Sequence, residues 1–155
     1  MAASAAYWIA SAASELVVIP SGQVGSVGVY ALHLDRSALN EKMGVLPTYI
    51  SAGKFKVEGN PDEPLSDDAR AAFQQTVDEF YGMFVSRVAK SRGVKKSQVV
   101  NGFGEGRVVT ASRALEEGMV DRIDTLDQVL DKLQKPARGN GRASVAMARR
   151  RLEIL

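Results

Sequence analysis

The 155-residue chain has no cysteine, one histidine, one tryptophan and only 6% aromatic residues. The missing thiols exclude disulfides, thiolate catalysis and cysteine-ligated metals, and make a reducing, intracellular compartment the simpler expectation. The solitary His33 leaves little room for a histidine-based triad or a multi-histidine metal site. No apolar run reaches the roughly 18–20 residues that a transmembrane helix needs. The opening "MAASAAYWIASAASELVVIP" lacks a basic leader and is interrupted by Glu15, so it is read as part of the fold and not as a signal peptide.

What is present fits one ordinary domain, 45% hydrophobic and 25% charged. The formal charge of +2 divides unevenly along the chain. Residues 135–155 hold Lys135, Arg138, Arg142, Arg149, Arg150 and Arg151 against Glu153 alone, leaving an acidic body. The composition of this tail marks it as a basic linker without fixed structure, so the expected domain is 1–134. A helix from "VAMARRRLEIL" is expected only on binding, to nucleic acid, a membrane surface or an acidic protein partner.

Periodicity and punctuation predict alternating strands and helices. Residues 5–13 read as a helix with the Ser4 hydroxyl at its N-cap and no strand ahead of it. "ELVVIP" and "SGQVGSVGVYALHL" read as strands, "DRSALNEKMG" as a helix closed by Gly44, and "VLPTYIS" as a further strand. A long helix follows from Ser66 or Asp67 to Gly93, with Ala69, Ala72, Phe73, Val77, Phe80, Phe84, Val85 and Val88 expected to face a core. "KKSQVVNGF" is a short helix. "RVVTASRALEEGMVDRI" is strand, helix and return strand, and "TLDQVLDKLQ" is a last amphipathic helix. This alternation predicts an α/β fold with a parallel sheet and flanking helices. A domain of that kind opens on a strand, so the chain reads as the later part of a larger domain.

The chemistry-bearing candidates are few. Ser4, at a helix start, lies among backbone N–H groups that favour negative charge, but serine needs a base to become a nucleophile. With so little histidine, a lysine whose ordinary pKa of about 10.4 is lowered by burial is the natural base. "SAGKFKVEGNP" offers Lys54 and Lys56 between Gly53 and Gly59. His33 beside Asp35 reads as structural, and Tyr7 and Trp8 as core or interface residues. The glycines of "GFGEG" (Gly102, Gly104, Gly106) lack the rest of a phosphate loop.

Read together, "AASAAYWIASAASELVVIPSGQVGSVGV", "ISAGKFKVEGNP" and "GFGEGRVVTASRALEEGMVDRI" resemble, in order and spacing, the signal peptide peptidase A group of serine proteases, peptidase family S49. The likeness runs from residue 2 to about 134. "SAAYW", "PSGQVGSVGVY" followed by "HLD", "AGKFKVEGNP" and "GFGEGRVV" are most similar to the bacteriophage capsid-assembly proteases of the protein C type. The resemblance implies a ClpP/crotonase-like α/β fold, incomplete here at its N-terminus because the family places a strand and a glycine-rich oxyanion turn upstream. It implies a Ser–Lys dyad in which Ser4 is the nucleophile and Lys56 the general base, with Ser26 orienting the lysine and Lys54 of lesser importance. It implies no metal or cofactor, a protein or peptide substrate, capsid or scaffold proteins among the candidates, and homo-oligomers whose sites draw on adjoining subunits. The matching location is the host cytoplasm or the prohead. The alternatives are a non-catalytic assembly module of the same descent and, less well matched, a crotonase-like acyl-CoA enzyme.

Overall fold

The computed structural model describes residues 1–134; the tail expectation for 135–155 lies outside the described residues. The chain starts with a two-residue strand, β1 (Ala2–Ala3), followed by helix α1 (Ala5–Ala10). Strands β2 (Val17–Val18) and β3 (Gln23–Gly25) come next. Helix α2 (Ser37–Met43) is short, whereas α3 (Asp67–Arg92), at 26 residues, is about 39 Å long. The rest comprises α4 (Lys96–Asn101), a 3-10 turn (Phe103–Gly106), β4 (Val108–Thr110), α5 (Ala111–Glu116), β5 (Arg122–Ile123) and α6 (Leu126–Gln134).

The architecture is mixed α/β. β3 lies between β1 and β4, parallel to the first and antiparallel to the second, and β2 pairs in parallel with β5. Two of the three ladders therefore run as the alternation predicts, and the third does not. β1 corrects the expectation of a helix with no strand ahead of it: Ala2 and Ala3 are paired with Val24 and Gly25.

The elements with strong punctuation fall where expected. Ser66 caps α3 by accepting from the Ala69 N–H at 3.2 Å, and Gly93, at φ 66°, ends it. Acids in the first turn and Lys90 and Arg92 in the last complement the helix dipole. The core gathers Tyr7, Val24, Phe84, Val85, Val88, Val99, Phe103, Ala114 and Met119 between α1, α3, α4, α5 and the larger sheet.

Two strand expectations fail for one reason. Residues 26–36 and 44–50 form no strand, and Lys54 to Gly59 is a succession of turns. No residue from Gly28 to Asp68 is buried. The N-terminal half of α3 shares this exposure: Ala72 and Phe80 face solvent, and of the predicted core stripe Ala69, Phe84, Val85 and Val88 are buried. β-branched residues make a strand only beside a partner strand, and none of the described residues supplies one here.

Candidate active site

Ser4 occupies the turn from β1 into α1 with φ 54° and ψ −126°, a backbone that residues with a Cβ rarely adopt. Two hydrogen bonds hold it there: its N–H donates to the Gly25 carbonyl at 2.8 Å, and its carbonyl accepts from the Trp8 N–H at 3.0 Å. The expected cap bond from its hydroxyl is not made. Small neighbours, Ala3, Ala5 and Ala6, leave the side chain exposed. A sharp strand-to-helix turn with strained backbone and an outward hydroxyl is how a fold presents a serine nucleophile.

The β1–β3 register places a second serine beside it. Ala3 pairs with Gly25, so Ser4 and Ser26 are the residues at which the two parallel strands leave the sheet side by side. Ser26 also has positive φ, 53°, and its N–H donates to the Arg107 carbonyl at 2.8 Å. The Arg107 carbonyl is itself fixed by a tight turn in which Phe103, Gly104, Glu105 and Gly106 all have positive φ, with Phe103 fully buried as the anchor. The glycines of "GFGEG" thus serve this turn. At Gly25, φ 114°, an added Cβ would come within 2.9 Å of the Arg107 carbonyl oxygen, so no larger residue fits the approach.

Ser4 opens into a hollow of about 250 Å³ bounded by Trp8, Phe80 and Phe84 on the helices and by Gly28, Val29 and Tyr30 on the segment after Ser26. Trp8 stands one helical turn from Ser4 on the same face of α1, a spacing that could have pointed to it. The sequence reading placed Tyr7 and Trp8 together in core or interface. Tyr7 is indeed fully buried, its hydroxyl donating to the Met119 carbonyl at 2.9 Å, and burial pushes that hydroxyl's pKa well up. Trp8 is half-buried and lines the hollow.

Lys56 is exposed, its N–H donating to the Gly53 carbonyl at 3.2 Å, and it does not line the Ser4 hollow. Both lysines sit on turns. Lys54 lies over the Phe55 ring, 4.6 Å from its centroid. The described chain thus brings Ser4 and Ser26 together and leaves Lys56 on the surface. His33 is structural, with Nε2 2.9 Å from the Asn60 carbonyl oxygen, as its sequence context indicated. Among the described residues no group of histidines and carboxylates is arranged to hold a metal ion, and no helix is long and apolar enough to cross a membrane.

The candidate site is thus a strained serine at a strand-to-helix turn, a second serine just past the end of the adjacent strand, and a hollow beside the first. The sequence model of peptidase family S49 matches residues 1–139, and the chain belongs to that family. It is 35% identical over 123 residues to capsid assembly protease C of Escherichia phage lambda, covering 79% of this chain and 28% of the relative. It is 31% identical over 134 residues to a candidate signal peptide peptidase SppA of Enterococcus faecium, covering 86% and 39%. It is 31% identical over 142 residues to the head-tail preconnector protein GP5 of Enterobacteria phage P21, covering 89% and 28%. The chain thus spans less than half the length of these relatives.

Proposed function

We propose that the chain carries the catalytic serine of a Ser–Lys endopeptidase on a ClpP/crotonase-like scaffold, acting on a protein substrate in phage capsid assembly or maturation. The observation that carries this reading is Ser4 itself, held at φ 54° beside Ser26 and open to a hollow. The lambda relative named as a capsid assembly protease supports the capsid setting.

In this mechanism Ser4 Oγ attacks a peptide carbonyl while the Lys56 amine takes its proton. The tetrahedral intermediate collapses, the C–N bond breaks, and the leaving amine takes that proton from the Lys56 ammonium. Water then attacks the ester, again with the lysine as base, freeing Ser4. A lysine amine acts as a base only when desolvated. Lys56 is exposed in the single chain, so a neighbouring copy provides the surface that desolvates it, and Lys56 serves that copy's Ser4. The segment that carries Lys56 also exposes Tyr30, Leu46 and Ile50, at 87%, 89% and 98%, as an interface between copies would.

Fluorophosphonate labelling and cleavage of a peptide library test the reading. Ser4→Ala and Lys56→Met each abolish cleavage, Lys54→Met retains most of it, and Ser26→Ala falls between. Mixing Ser4→Ala with Lys56→Met restores activity if the dyad forms between copies. Equal loss from both lysine variants, or survival of Lys56→Met, overturns the dyad. The exposed apolar segment also favours a second reading, a non-catalytic assembly module. It predicts that Ser4 goes unlabelled while the chain still self-associates.

A further inference from the structure

No residue of α6 is buried, although its apolar residues are arranged as in a packed helix. Leu126, Val129, Leu130 and Leu133 recur at i, i+3, i+4 and i+7, one stripe along the helix. Val129 is half-buried, whereas Leu126, Leu130 and Leu133 are 66%, 44% and 74% exposed. On one flank of the stripe Lys132 donates to the Glu15 carboxylate at 2.8 Å, which marks the side turned to the chain's own body. Asp127 and Asp131 flank the stripe on the other side. A helix of nine residues is marginal in water unless its apolar face is covered.

A complementary surface lies where α3 meets α4. An open groove of about 910 Å³ there has Trp8, Met83 and Val100 as apolar lining, with the exposed Arg87, Lys90 and Lys96 around it. Glu79 is its one acid. The α6 of the same chain lines no part of this groove. We propose that α6 of one copy docks in the α3–α4 groove of another. Leu126, Leu130 and Leu133 enter the apolar lining, and Asp127 and Asp131 meet the three cations. Charge decides the occupant. Residues 135–155, also candidates for the groove, are basic and would set cation against cation. A helix of one copy in a groove of the next is a head-to-tail contact between two different surfaces. It involves neither Ser4 nor the arm that carries Lys56, so it goes beyond the proposed cleavage and stands or falls apart from it.

The chain has no cysteine, so introduced thiols report on this contact alone. Full chains carrying Asp131→Cys and Lys90→Cys, both at exposed positions, are mixed and treated with a short bismaleimide. A covalent dimer is expected from the mixture in at least tenfold greater yield than from either chain alone. The double variant is expected to give chains of three or more copies, with a yield that falls on dilution. Adding Leu130→Asp to the first chain or Met83→Asp to the second is expected to lower the dimer at least tenfold. Both side chains are largely exposed, so the fold survives either change. No dimer, a dimer that persists in both variants, or equal dimer from each single-cysteine chain overturns the head-to-tail contact. A cross-link within one chain, or a Lys90→Cys thiol shielded in dilute monomer by residues 135–155, also overturns it. So does a cross-link lost in Ile50→Ser, which would make it a by-product of contact through the arm. Fluorophosphonate labelling of Ser4 is read separately. A labelled serine without the cross-link removes this contact and keeps peptide cleavage, and an unlabelled serine with the cross-link does the reverse.

Discussion

The packed body of the chain, residues 2–27 and 81–134, and the arm between them are stabilised by different physics. In the body, Tyr7, Phe84, Val88, Phe103, Ala114 and Met119 lose essentially all contact with water, and each large apolar side chain so buried contributes roughly 1.5–3 kcal/mol. The arm, residues 28–66, buries nothing, and polar groups hold its shape. Asp62 accepts from Asn40 Nδ2 at 2.8 Å and from the Tyr49 hydroxyl, while the Arg36 N–H donates to the Pro61 carbonyl at 2.7 Å. At Gly59, φ 70°, an added Cβ would come within 2.4 Å of the Phe73 ring, which seats the Lys56 turn against α3. The proposed nucleophile, Ser4, thus stands on the part that hydrophobic burial makes rigid, and the proposed base, Lys56, on the part that it does not. On the proposed mechanism, a site divided this way forms when another copy covers the arm.

The comparison predicts a graded set of effects. The largest lies in the body: Phe84→Ala should destabilise the chain by about 3–5 kcal/mol, measured by urea unfolding. A cost below about 1 kcal/mol would mean that α1 and α3 do not share one core.

Asp121→Asn should cost less, about 1–2 kcal/mol. Asp121 accepts from Arg92 at 2.7 and 3.0 Å and from the Leu16 N–H at 2.6 Å, but its own side chain is 39% exposed, so the figure for a fully buried pair does not apply. The hydrogen bond from Arg92 holds the Asp121 carboxyl below its ordinary value. A depressed folded value means that this stabilisation is complete above the unfolded value of about 3.9 and is lost as pH falls through the folded one. The difference between native chain and Asp121→Asn in thermal midpoint should therefore be constant from pH 7 to 5 and shrink below pH 4. A difference that grows on acidification would show the sign to be wrong.

Asp62→Ala should act on the arm alone. Amide exchange at residues 36–62 should speed up by an order of magnitude or more while the global midpoint stays in place. A midpoint that falls with it would join arm and body into one cooperative unit. The smallest effect on stability, within about 0.5 kcal/mol, is expected from Ile50→Ser, because a 98% exposed residue has no contacts to lose. If the proposed contact between copies uses this face, sedimentation should nonetheless show weaker self-association, and an unchanged profile would take Ile50 out of that contact.

The two regions also differ in how far the sequence disclosed them. In the body, local signals and tertiary packing agree: Ser66 and Gly93 bound α3, Gly118 at φ 76° closes the turn after α5, and β4, α5 and β5 follow in the predicted order. β1 escaped notice because two alanines carry no strand propensity, and pairing with Val24 and Gly25 alone makes them a strand. In the arm, "VGVYALHL" and "VLPTYIS" have strand-like composition but no neighbouring strand, so propensity misled. The turn around Lys56 was foreshadowed by Gly53, Gly59 and the run Asn60–Pro61–Asp62, all turn formers. Ser4 and Ser26 were singled out through motif order, and their adjacency in the fold follows from a register that no single segment encodes. Trp8 was missed as lining because two neighbouring aromatics at a helix start were read together as core or interface.

The bond from the Tyr7 hydroxyl to the Met119 carbonyl has a consequence in time. It spans 112 positions of sequence, and it ties the helix that begins at Ser4 to a turn translated long afterwards. At about 5–20 residues per second, ribosomes need roughly 6–22 seconds to cover that interval. During those seconds the serine is already outside or near the exit tunnel, yet the partner that seats its helix does not exist. Until Met119 has been made, helix α1 therefore waits without the bond that seats it, and the Ser4 turn that leads into it waits as well.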